Sequence, residues 1–97
     1  MAIVETFPAQ VEVGQTFSFS GTGYTSAGLL KISAYSEDGN GGISLDNLDY
    51  QLPTAVTSLA NNAIQIAAQE EGHIVVTITD VTAVATNVHR IPVFSRG

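Results

Sequence analysis

The sequence predicts an all-β fold, a sandwich of about seven short strands, and three observations carry it. Apolar and polar residues alternate in short runs: Phe17 and Phe19 against Ser18 and Ser20, Leu30, Ile32 and Ala34 against Lys31, Ser33 and Tyr35, and Ile74, Val76 and Ile78 along 73–79. That period of two is the half-buried strand pattern. Turn residues recur about every 8–12 positions, the spacing of a β-sandwich. Finally, 97 residues suffice for one domain and one core.

The elements follow in order. Residues 1–8 form a lead with apolar Ile3, Val4 and Phe7, and Pro8 suits an entry bend. Residues 9–13 read as a strand, Gly14-Gln15 as a turn, and Thr16–Ser20 as the next strand. A loop is expected over 21–28 and a strand over 30–35. An acidic, glycine-rich turn over 37–42 leads to a strand over 43–52, which Pro53 ends. Thr54–Gln69 is ambiguous. Val56, Leu59, Ala60, Ala63, Ile64 and Ala67 fit helical spacing, whereas Ile64, Ile66 and Ala68 fit a strand. A short helical turn or loop over 54–62 followed by a strand over 63–69 is preferred, because Asn61-Asn62 are poor helix formers; a full helix is the alternative. Strands over 73–79 and 88–94 complete the domain, and Pro92 marks the last as an edge or bulged strand.

Two segments carry a resemblance. Val11-Glu12-Val13-Gly14 running into Thr16–Gly21 is similar to the opening strand-turn-strand of immunoglobulin-like domains, with Gly21 near the position of their first cysteine. Ile64–Ile78 resembles their corner between the fifth and sixth strands, with Ile74 in the tyrosine's place and Val76 in the second cysteine's. The disulfide, the core tryptophan and the corner tyrosine of that family are absent. The resemblance implies a cysteine-free bacterial or phage immunoglobulin-like domain, of the kind found in virion decoration and surface proteins.

Composition narrows the function. The charged fraction is 12 %, and the net charge is −6 with only Lys31, Arg90 and Arg96 as cations. Three cations cannot line a nucleic-acid groove, and an anionic membrane surface would repel the chain. With no cysteine, thiolate metal sites are excluded. No secretory leader pattern is visible, and no apolar run approaches the ~18–20 residues of a membrane span. The chain reads as a whole gene product.

Asp38, Asn40 and Asp49 match positions 1, 3 and 12 of a calcium loop, but Gly42 and Ile43 stand where a ligand and the obligatory glycine belong. A flexible acidic hairpin loop is the expectation. His73 and His89 are the only imidazoles and are expected on the sheet surface. No nucleophile elbow accompanies them, and Gly21-Thr22-Gly23 lacks the lysine of a phosphate loop. No catalytic, cofactor or metal site is expected. Tyr24, Tyr35 and Tyr50 could stack on sugars, with Tyr35 placed opposite Ile32 and Ala34. The apolar lead to Phe7 and the stretch Val81, Ala83, Val84, Ala85 and Val88 are richer in apolar residues than edges and loops need, which suggests an interface.

The expected function is non-enzymatic: a small phage virion accessory protein, a capsid decoration or cement protein made in the host cytoplasm and bound to a protein lattice, possible also as a homo-oligomer. The alternative is a carbohydrate-binding or adhesive display module, at a cell surface when part of a larger protein.

Overall fold

The computed structural model describes residues 2–37 and 43–95. It is all-β, with nine strands and no helix among the described residues: β1 (Val4–Thr6), β2 (Val11–Glu12), β3 (Thr16–Ser18), β4 (Ser20–Thr22), β5 (Leu29–Ser36), β6 (Ile43–Gln51), β7 (Gln65–Ala67), β8 (Gly72–Asp80) and β9 (Ala85–Phe94). Five strands make one mixed sheet in the order β2-β9-β8-β5-β6. Only β2 on β9 is parallel within it. Two antiparallel pairs stand apart from this sheet, β1 with β4 and β3 with β7. Leu59 bridges to Gly21, so the backbone after β6 also touches β4.

The alternation read from the sequence sets which side chains are buried. Leu30, Ile32 and Ala34 of β5, Ile74, Val76 and Ile78 of β8, and Ile91 and Val93 of β9 face inward. They form one apolar cluster with Phe17, Phe19 and Ile66 from the smaller pairs. Burial of this kind contributes about 25 cal/mol per Å² of apolar surface, the main favourable term in a chain without disulfides.

Val13-Gly14 is a tight turn: Gln15 N donates to Glu12 O at 3.0 Å, and Gly14 takes φ 93°. That is the glycine-demanding third position of a type II turn. Pro92 fits its place as well. Cover by β2 starts only at Val93, so β9 is an edge strand up to Pro92.

Four expectations are corrected. Of the helical turn or loop expected over 54–62, the loop is found and the helical turn is absent. Val56 N bonds Pro53 O, Ala63 N bonds Ala60 O, and Leu59 exchanges both backbone bonds with Gly21. Ala55 lies at φ 67°, which no right-handed helix accepts. Long-range pairing of Leu59 thus overrides local spacing. The strand expected over 63–69 contracts to β7, although Ala68 continues the hydrogen bonding to Gly14 and Gln15. The lead contains a strand, β1, and the loop expected over 21–28 begins only after β4 takes up Gly21 and Thr22. The glycine-rich turn residues 38–42, including Asp38 and Asn40, lie outside the described residues.

Candidate functional site

The β8–β9 hairpin ends in a tip that is apolar, exposed and firmly held. Asp80 closes β8 with 1 % of its surface exposed. Its Oδ2 accepts Thr25 N–H at 2.8 Å and its Oδ1 accepts Ala83 N–H at 3.1 Å. An aspartate capturing an amide three residues on is the local bond that makes Asp a turn initiator. Burial alone would push this carboxyl up. The amides of Thr25, Ala83 and Thr82 and the Thr25 hydroxyl outweigh it and hold Asp80 below the usual carboxylate range. Val81 N then bonds Leu29 O at 3.1 Å, and Val84 N bonds Val81 O at 3.3 Å.

The tip so fixed presents valines. Val84 is 87 % exposed, and Val81 and Val88 are exposed beside it in sequence. Val84 also lies at φ 54°. Left-handed backbone costs an L residue about 1–2 kcal/mol, and a β-branched residue is the least suited to it. Glycine or asparagine would be the relaxed occupant. The sequence thus places a strained, solvent-facing valine where neither packing nor local conformation calls for one. Strain retained at an exposed position is a pointer to function.

A second constellation lies inside. Glu5 of β1 has a side chain only 1 % exposed. Its Oε2 accepts the Tyr24 hydroxyl at 2.6 Å and its Oε1 meets His89 Nε2 at 2.5 Å. Phe7 stacks on Phe19 with ring centres 4.5 Å apart, and His89 tilts against Phe7 at 4.4 Å. The Tyr24 ring lies over Gly21 so closely that a Cβ there would fall 2.1 Å from the tyrosine oxygen. Burial first, then the bond to Glu5 and its charge, push the Tyr24 phenol far above its ordinary range. The arrangement ties the lead to β9 and to the segment after β4.

This geometry corrects two expectations. His89, expected on the sheet surface, is half-buried with 27 % of its side chain exposed; successive strand residues point to opposite faces, so Arg90 faces out while His89 shares the inward side with Ile91 and Val93. Tyr24 is buried and serves Glu5 rather than a sugar. Tyr35 is exposed, Tyr50 half-buried and His73 half-buried on β8. Asp49, the last residue of the calcium pattern, pairs with Lys31 at 3.1 Å on the exposed face. Ile74 and Val76 are core residues. Among the described residues no group of three or more His, Cys, Asp or Glu side chains is placed to hold a metal. Glu5 escapes sequence reading because nothing local marks a carboxylate whose partners lie 19 and 84 positions away; for Asp80 the bond to Ala83 is local, but Thr25 lies 55 positions away.

No family model matches the chain, and neither a curated protein nor a solved structure matches it significantly.

Proposed function

We propose that the chain is an immunoglobulin-like sandwich acting as a non-enzymatic docking protein, a small phage virion accessory protein of the capsid decoration type. The observation that carries the docking role is the tip of the β8–β9 hairpin: Val84, strained and 87 % exposed, with exposed Val81 in the turn and exposed Val88 farther down β9. Exposed apolar surface on a rigid element is how a protein interface is prepared. The sandwich reading is supported by the N-terminal strands dividing between two groups, β1 on β4 and β2 on β9, around one core. The decoration reading is supported by the acidic charge of −6, which disfavours nucleic acid and leaves protein as the natural partner of an apolar tip.

The test is co-expression with the open reading frames that flank the gene, followed by sedimentation of the particles formed. The chain is expected to sediment with a shell protein, and the double variant Val84→Asp, Val88→Asp to remain unbound at unchanged thermal stability. Absence of the wild-type chain from every particle, or co-sedimentation of the double variant, overturns the reading.

A further inference from the structure

The outward face of the five-stranded sheet carries a second feature besides the hairpin tip. The pairing of β5 with β6 slips: Ile32 faces Leu48, but Ala34 faces Leu45. Asp46 and Asn47 therefore oppose Ser33 alone, which is a β-bulge. Asn47 adopts φ 42°, the left-handed conformation that asparagine tolerates better than most residues. Asp46 and Asn47 are both exposed there.

The bulge opens two depressions. One of about 350 Å³ lies between Ser33, Ala34, Tyr35, Leu45, Asp46 and Asn47. The other, about 250 Å³, lies between Lys31, Ser33, Asn47, Thr77 and Thr79. Both include Ser33 and Asn47, so they lie side by side as the two halves of a trough with these residues at its middle. From Tyr35 to Lys31 it runs about 13 Å along β5, at ~3.3 Å per residue. Tyr35 stands at one end, 45 % exposed. At the other end Lys31 is already paired with Asp49.

We infer that this trough binds a short stretch of a neutral glycan, with Tyr35 as the stacking platform. A pyranose ring offers an apolar face edged by hydroxyls that both donate and accept. The trough offers the matching set: an aromatic ring, the Asp46 carboxylate as acceptor, the Asn47 amide as donor and acceptor, and the hydroxyls of Ser33 and Thr77. Its charge selects among glycans. Asp46 adds a negative charge, Lys31 is neutralised by Asp49, and the whole chain carries −6, so sialylated or uronic acid chains are repelled. The Tyr35 end lies away from the hairpin tip: Val75, in the same cross-strand row, is seven positions before Thr82, about 23 Å at strand rise. The other end adjoins the docking face, where Thr77 pairs with Val88.

The experiment is an amide NMR titration of the full chain with maltohexaose, cellohexaose, chitohexaose and mannohexaose. Each is raised to about 10 mM, which reaches the millimolar affinity of an open site. Sialyllactose serves as the anionic comparator. At least one neutral oligosaccharide is expected to shift the amides of Ser33, Tyr35, Asn47 and Thr77, and Tyr35→Ala to weaken it about tenfold, the loss of one ring's stacking. Tyr35→Phe should retain most of the binding. Tyr35 is 45 % exposed and pairs with buried Val75, so the Ala variant should melt a few degrees lower and is titrated well below its melting point. The inference is overturned by any of four results: no neutral glycan shifting these amides, shifts centred elsewhere, undiminished binding by Tyr35→Ala, or equal binding of sialyllactose. Failure here leaves the hairpin variants' outcome untouched, so the two readings fail separately.

Discussion

At the residue scale, Val84 and Tyr24 show opposite uses of an unfavourable position. Val84 keeps a left-handed backbone without burial to compensate. Replacing it with glycine should raise stability by about 1 kcal/mol, since the strain disappears and almost no packing is lost. Urea denaturation of Val84→Gly measures this, and the sedimentation assay should show weaker shell association by the more stable variant. Such a trade between stability and binding is common where function maintains strain. Tyr24 instead sinks a phenol beside a carboxylate. Its folded-state pKa is raised above the unfolded value near ~10, so its stabilising effect is complete below that pH and is lost as pH rises beyond it. Unfolding midpoints measured from pH 8 to pH 11 should therefore fall more steeply for wild type than for Tyr24→Phe. At neutral pH the Phe variant should be less stable by about 1.5–3 kcal/mol, the worth of a hydrogen bond to a charged group.

At the element scale, the β8–β9 hairpin is only as rigid as Asp80 makes it. This side chain is the one buried charge among the described residues whose bonds span both the turn and the neighbouring loop. Asp80→Ala leaves the amides of Thr25 and Ala83 without their acceptor and should cost about 2–3 kcal/mol. The folded pKa of Asp80 is depressed, so its stabilisation is present above the unfolded value near ~3.9 and is lost as pH falls through the folded value. Acid titration of stability between pH 6 and pH 2 should be steeper for wild type than for Asp80→Ala. Amide exchange should also quicken at Ala83 and Thr25 in the variant while β5 stays protected. By contrast, the exposed pairs Lys31–Asp49 and Arg90–Glu37 contribute little, roughly 0–1 kcal/mol each.

At the scale of the whole molecule, the sequence discloses much of the sheet and little of the site. β5, β8 and β9 were legible because their alternation is set by a core that lies on one side only, and 73–79 grew merely to Gly72–Asp80. The region 54–62 was not legible. Its helical spacing is genuine, but Leu59 gains two backbone bonds from Gly21, a partner no local window contains. The valines of the hairpin tip were legible as an apolar excess; the left-handed backbone of Val84 was not. The alternation that Ile91 and Val93 carry turns His89 inward and leaves it half-buried. Tyr35 was placed correctly by the same alternation. The trough beside it rests on a slipped register between β5 and β6, which composition does not encode.

The parallel pairing of β2 with β9 has a mechanical consequence. These strands belong to the two ends of the chain and run the same way, with Val13 N bonded to Phe94 O at 2.9 Å beyond the last pair. Tension drawing the chain's ends apart would pull the two strands in opposite directions, loading their bonds together in shear instead of unzipping them one by one. A protein anchored at one end and dragged at the other would meet that resistance once β1 had been drawn off β4.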